Sequence, residues 1–278
     1  MCRNRAVLLR EVAYARPATV AEAVALLAGN EGARPLAGGQ TLVNVMKQRA
    51  AAPDVLVDLA DLEELREIRF GRDGRLELGA MATLTQMIDS SEVEVARPIM
   101  AEVAATIGDV QVRNRGTVGG NICVNDPTNH LPPLLVALGA TMTILSSDGE
   151  RDVPAEEFFV GVYVTAVGEG ELLTRIAVPP RAHGVGDGFA GVTIGAHGTC
   201  IANAGATVSP DGVRIALGCV AAVPVLVTPA DAEAEAVKAA VRAAGLDPPG
   251  DVHASADYRG HLAETCAVRA ADQAKGGA

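Results

Sequence analysis

The stretch "PLAGGQTLVNVMKQR", Pro35 to Arg49, sets two adjacent glycines between a short apolar run and an amphipathic helical pattern. Such a junction marks a backbone with a special task, because glycine reaches positive φ freely and lets a backbone lie close against another group. Two readings follow. The junction is a tight turn from strand to helix, or it is a cradle in which backbone N–H groups meet a phosphate. A second segment of the same kind, "TVGGNI", runs from Thr117 to Ile122. Gln40 and Thr41 in the first, and Thr117 and Asn121 in the second, add side chains able to hydrogen-bond. Together the two segments can offer several donors to a diphosphate, each charge-assisted bond contributing about 1.5–3 kcal/mol.

Local donors matter because the chain as a whole is acidic. Its 278 residues carry a formal charge of −11, which argues against a generic nucleic-acid surface. Aromatic residues make up only 3% and tryptophan is absent, so base-stacking platforms are poorly supplied too. Arg113 and Arg115, just ahead of the second segment, read either as added charge or as a solvated face. Cys2, Cys123, Cys200, Cys219 and Cys266 are scattered, with no CxxC pair and no metal-type spacing to histidine, so neither an iron–sulfur cluster nor structural zinc is expected. Sparse, odd-numbered thiols fit a reducing compartment, with cysteine acting as a small buried hydrophobe. The amino-terminal apolar run stops at Arg10 and Glu11, short of a signal-peptide core, and no apolar stretch is long enough to span a bilayer. A soluble, cytoplasmic chain is expected.

Thr19 and Glu22 carry a capping-box pattern ahead of a helix, "RPLAGG" reads as a strand, "TLVNVMKQR" as a helix and "DVLVDL" as a further strand. Asp73-Gly74 is a hairpin turn within "IRFGRDGRLELGA". Thr83 with Gln86 is another capping box, and Pro98 opens a helix. Gly108 to Pro133 is too rich in Gly, Asn and Asp for an ordinary connector, and "LLVALGATMTIL" reads as a helix followed by a strand. "VGEGE", Val167 to Glu171, reads as a boundary. Beyond it, strands are expected in "ELLTRIAVP", "GFAGVTIGA", "CIANAGATV" and "VRIALGCVA", then Ala-rich helices over 230–244 and 256–271. A G-x-G-x-x-G string occupies Gly186 to Gly191, but Pro179-Pro180 precede it and a β-type run follows, which is not a Rossmann context. P-loop, G-x-S-x-G and H-E-x-x-H motifs are absent.

Taken in order, "PLAGGQTLVNVMKQR", "RNRGTVGGNICVNDPTNHLPPLLVALGA" and "FFVGVYVTAVGEGELLTRIAVP" resemble the FAD-binding medium subunit of the molybdenum hydroxylases. That family includes the carbon monoxide dehydrogenase flavoprotein and the flavin domain of xanthine dehydrogenase. The resemblance runs from Tyr14 to Val178 and continues more weakly through "VRIALGCVAAVPV" and "SADYRGHLAE". It implies an α+β fold, with a two-lobed PCMH-type FAD-binding module followed by a C-terminal α+β domain of the carbon monoxide dehydrogenase flavoprotein type. The lobes are expected at 1–54 and 55–168, the C-terminal domain at 171–273 and a disordered tail at 274–278. By the same resemblance Leu36, Ala37, Gly38, Gly39, Gln40, Thr41 and Leu42 cradle the pyrophosphate. Thr117, Gly120 and Asn121 hold the diphosphate and ribityl portion, Asp126 sits in the flavin-side loop, and Gly119, His130 and Leu172 complete the implied cofactor-binding set.

Two departures accompany the resemblance. "DPTNHLPP" puts His130 where relatives often carry an acid, making His130 a candidate acid–base group or a residue bonded within its own loop. "FAGVTIGAHG" lacks the Lys or Arg common in relatives, Thr193 being the nearest position. The implied function is an FAD oxidoreductase subunit with no metal site of its own. It relays electrons from a 2Fe-2S small subunit, fed by a molybdopterin-containing large subunit, to NAD or another acceptor. The alternatives are a standalone FAD-dependent oxidoreductase acting on a small organic substrate, with His130 in its pocket, and a scaffolding subunit that has lost flavin.

Overall fold

The computed structural model describes residues 9–195 and 199–277. Cys2 and most of the basic amino-terminal run lie outside these residues, as do 196–198 of the "FAGVTIGAHG" segment and Ala278 of the expected tail.

The first unit is a parallel three-stranded sheet in the order Ala13–Ala15, Val55–Asp58, Ala33–Leu36. Its crossovers carry the helices Val20–Gly29 and Leu42–Lys47. Thr19 caps the former by accepting the amide of Glu22, while the Glu22 carboxylate takes the amide of Ala18 instead of closing the expected box. The lobe boundary expected after residue 54 is corrected here. Val55–Asp58 is the central strand of this sheet, paired on both sides, with Val57 fully buried.

The second unit is a five-stranded antiparallel sheet in the order Ile68–Phe70, Leu76–Gly79, Leu172–Val178, Thr141–Ser146, Gly149–Pro154. The Asp73-Gly74 turn joins its first pair, with Gly74 at φ +80°, and Thr83 and Gln86 form the full reciprocal capping box. A second boundary moves as well. Leu172–Val178, expected to begin the C-terminal domain, is the middle strand of this sheet, with Leu173, Ile176 and Val178 buried in the second unit's core and Leu172 in the first unit's. "VGEGE" is therefore a turn within the module, closed by Arg151 on Glu171 at 2.6 Å and by the Gly168 amide on the same carboxylate.

The third unit follows a connector at 179–185. Its antiparallel sheet runs Gly186–Thr193, Cys200–Ser209, Gly212–Gly218, Val225–Val227, with the helices Ala234–Ala243 and Ala256–Gly276 against one face. The G-x-G-x-x-G string is a strand here, as its flanks suggest. A Cβ on Gly188 would overlap the carbonyl oxygen of Ala270, so this glycine serves helix-to-sheet contact. The last helix continues through Gly276, correcting the disordered tail expected from 274. Ala274 is fully buried in the third core, and Lys275 pairs with Asp272 and Glu233.

The opposite face of the third sheet meets the buried helix Leu131–Ala137, whose carbonyls at Val136 and Ala137 accept from Arg214. Nearby, Arg97 makes a bidentate pair with Asp187 at 2.7 and 2.8 Å and also donates to the carbonyl of Pro179. The connector is thus held at both of its ends. Among the described residues no helix is long and apolar enough to cross a membrane.

Candidate cofactor-binding cleft

The two glycine segments come together. Strand Ala33–Leu36 ends in Ala37–Thr41, where Gly39 turns at φ +73° and its carbonyl accepts the amide of Val43, starting the helix Leu42–Lys47. Opposite it, helix Val110–Arg115 ends at Gly116, and Thr117 caps helix Val118–Val124 by accepting the Gly120 amide at 3.0 Å. This second loop is pinned to the end of strand Leu76–Gly79 through Val118 N–H to Ala82 and Gly119 N–H to Ala80, each 2.9 Å. A Cβ on Gly38 would overlap the carbonyl oxygen of Arg115. Gly38 is therefore needed for contact between the loops, whereas Gly39 is needed for its φ.

Between the loops lies a cleft of about 520 Å³, a volume usual for a small-molecule or cofactor site. Ala37, Gly38, Gly39, Gln40, Thr41 and Leu42 line one wall, and Thr117, Gly120 and Asn121 the other. The amides of Gly38, Gly39 and Gln40 meet no acceptor among the described residues. Asn121 Oδ1 is buried and without a partner in this wall, an arrangement that leaves a ligand donor as its satisfaction. Arg34 is the one charged side chain in the lining and takes part in none of the described ion pairs. Burial pushes the Cys123 thiol up to about 12, so this wall residue stays neutral.

Other candidates stand behind the walls or away from them. Leu36 backs Gly39, and Gly119 packs against Ala80, where a Cβ would come within 2.6 Å of the alanine side chain. Asp126 does not line the cleft. It accepts from the Thr128 amide and from the hydroxyl of Tyr163 at 3.2 Å. Tyr163 itself does line the cleft, and burial together with Asp126 raises its pKa, keeping the phenol protonated. Leu172 is buried in the first core with Val24 and Val57. His130 is outside the lining, its Nδ1 3.1 Å from Asn203 Nδ2 and its ring edge-on to Phe189 at 5.4 Å.

Arg34, Leu84, Ile107, Val112 and Tyr163 line the cleft without having been singled out from sequence. For Tyr163 a signal existed in "FFVGVYVT". This hairpin is tied to the second loop by buried Asn125, whose side chain donates to the carbonyls of Gly161 and Val164 at 2.7 and 3.1 Å. The apolar residues carry no mark separating cleft wall from core.

Residues 10–181 match the family described as the FAD binding domain in molybdopterin dehydrogenase. The carbon monoxide dehydrogenase medium chain of Afipia carboxidovorans is 45% identical over 175 residues, covering 62% of this chain and 60% of that relative's length. The nicotine 6-hydroxylase medium subunit of Paenarthrobacter nicotinovorans is 33% identical over 273 residues, 92% of this chain and 94% of the relative. Among solved structures, the reconstituted CO dehydrogenase from Oligotropha carboxidovorans superimposes with a TM-score of 0.92 at 34% identity, over 97% of this chain and 99% of that one.

Proposed function

The chain belongs to the FAD-binding family of molybdopterin dehydrogenases, and from that premise we propose that the cleft between Ala37–Leu42 and Thr117–Asn121 is where it holds FAD. We propose further that it serves as the medium subunit of a molybdenum hydroxylase. Electrons would then arrive from a 2Fe-2S small subunit, itself supplied by a molybdopterin-containing large subunit, and leave to NAD or another acceptor. The observation that carries the reading is the polar set of the cleft: among the described residues, three loop amides without acceptors, the Asn121 oxygen as an acceptor without a donor, and one cation outside any ion pair, Arg34, in a single 520 Å³ space. This set suits a diphosphate flanked by hydroxyl-bearing portions.

The bound flavin supplies the two-electron and one-electron chemistry. This chain's own residues bind and orient it. The Gly38–Gln40 amides and Arg34 offset the diphosphate charge, Thr117 holds its loop closed on Gly120, and Tyr163, held by its bond to Asp126, adds to the lining. We read the two amino-terminal sheets through Val178 as the FAD module and residues 186–276 as the C-terminal domain. The free thiols Cys123, Cys200, Cys219 and Cys266 support a reducing, cytoplasmic setting.

Affinity purification from the native host tests the assignment. The expected outcome is a yellow complex that contains the two partner subunits and releases FAD, with flavin reduced by substrate only when all three chains are present. A chain that purifies alone, and whose flavin a small organic substrate reduces directly, overturns the relay.

A further inference from the structure

The turn between the strands Phe159–Gly161 and Val164–Thr165 consists of Val162 and Tyr163. Tyr163 stands at φ +58°, in the left-handed region, where the Cβ of any residue but glycine crowds the following carbonyl. Glycine or asparagine is the usual occupant of such a turn position. A tyrosine there carries a conformational cost, and a place in the core does not explain it, because the residue is 62% exposed. Residues held in this way cluster at sites that clamp ligands. Tyr163 is also the one aromatic side chain among the described residues that line the cleft, in a chain with only three tyrosines, four phenylalanines and no tryptophan.

The turn and the ring are fixed from two sides. The Tyr163 amide donates to the Asn125 carbonyl at 3.1 Å and its hydroxyl to Asp126 Oδ2 at 3.2 Å. Asn125, only 1% exposed, caps helix Val118–Val124 in the left-handed region, and its side chain donates to the Gly161 and Val164 carbonyls that flank the turn. The other oxygen of Asp126 accepts the amide and the hydroxyl of Thr128 at 2.9 and 2.8 Å. The phenol therefore closes onto a carboxylate that is itself held in place.

The position of the ring along the cleft separates the two halves of a dinucleotide. Leu84 and Val112 stand against Gly116, immediately ahead of Thr117, so this aliphatic portion adjoins the phosphate loops directly. Cys123, Val124 and Tyr163 line the cleft at the far end of helix Val118–Val124, which advances about 10 Å over its seven residues. That length is comparable with the extended ribityl chain between the diphosphate and the isoalloxazine. A single ribose, which is all that separates the diphosphate from adenine, is shorter and suits the aliphatic portion.

We propose that Tyr163 is a cofactor-contacting residue whose ring packs against the isoalloxazine, and that it fixes the end of the cleft at which the redox-active half of FAD lies. The inference rests on the assignment of the cleft to FAD. The hydroxyl bond to Asp126 sets the direction of the ring, and the left-handed backbone brings the ring to the cleft from the turn.

The test measures FAD affinity and flavin fluorescence of the full-length chain as wild type, Tyr163→Phe and Tyr163→Gly. A tyrosine in contact with an isoalloxazine quenches its emission, a phenylalanine does not, and a tyrosine beside adenine leaves the emission unchanged. The expected result is wild-type bound FAD dimmer than free FMN, with emission rising severalfold in both variants. Affinity should fall about fivefold or more in Tyr163→Gly and stay within about twofold in Tyr163→Phe, which keeps a ring. Tyr163→Gly relieves the backbone at the turn, and its melting temperature without FAD checks that the chain is folded. Emission equal in wild type and variants overturns the role of Tyr163 while leaving the cleft assignment standing. A loss of affinity without a change of emission does the same, and puts adenine at Tyr163. A chain that takes up no FAD overturns the cleft assignment and this role with it. Wild-type emission equal to that of free FMN overturns the role even where a variant fails to fold.

Discussion

Gly38 and Arg115 are in backbone contact: the α-carbon of the glycine lies so close to the arginine carbonyl that no side-chain carbon fits between them. The two walls of the cleft are therefore joined directly and do not depend on the ligand alone to hold them together. Gly38→Ala should force the loops apart at a cost of about 1–3 kcal/mol, the usual range for overpacking. Gly39→Ala meets only the Val43 methyl at 3.3 Å and pays chiefly for its φ, about 1–2 kcal/mol. Thermal unfolding together with flavin absorbance should show both losses in Gly38→Ala, and a smaller fall in melting temperature in Gly39→Ala. Equal melting temperatures and full flavin in the two variants would contradict the contact.

Arg34 lines the cleft and has no ion-pair partner among the described residues, in a protein of net charge −11. Removal of one charge-assisted contact worth about 1.5–3 kcal/mol should weaken FAD binding roughly tenfold or more. Titration of apoprotein with FAD at low and high salt checks this. Arg34→Ala should bind more weakly and lose part of the salt dependence, with Arg34→Lys in between. Affinity unchanged in Arg34→Ala would place the diphosphate elsewhere.

Arg97 and Asp187 pair in a nearly dry setting, and Thr207 adds a hydroxyl to the same carboxylate at 3.1 Å. Arg97→Ala leaves that carboxylate buried and uncompensated, so unfolding by urea should reveal a loss of about 3–5 kcal/mol. Replacing both partners by apolar residues of similar volume should cost less than the single change. The order would reverse if the pair were merely a surface contact.

His130 contacts Asn203 and Phe189, and the cleft lining does not include it. His130→Ala is accordingly expected to retain full FAD occupancy while losing about 1 kcal/mol of stability from a side-chain hydrogen bond. Flavin loss in a variant that otherwise melts like wild type would return His130 to the cofactor site.

Glu171 is held below the usual carboxylate range by Arg151 first and by the Gly168 amide. Because its folded pKa is depressed, its contribution is present above the unfolded value, near 4.3, and is lost as pH falls through the folded one. The closing turn at 168–171 should thus weaken only in acid. Arg151→Ala should flatten this part of the stability profile below about pH 4.5, measured by melting temperature against pH.

Features governed by a few neighbouring residues were legible in the sequence. The Asp73-Gly74 hairpin, the Thr83–Gln86 box, the turn at Gly39 and the strand character of Gly186–Thr193 all follow from local φ, capping and alternation, and need no distant partner. The pairing of "AGGQTL" with "TVGGNI" into one cleft was legible too, because each carries its donors on its own backbone. What depended on remote pairing was not. Val55–Asp58 and Leu172–Val178 read as the beginnings of new units, yet each is the middle of a sheet whose other strands come from far along the chain. His130 and Tyr163 sit near the ends of short elements, where sequence does not reveal the direction of a side chain. Tertiary packing turned the first toward Asn203 and Phe189 in the third sheet and the second into the cleft, since burial against one surface or another is settled only when those surfaces meet.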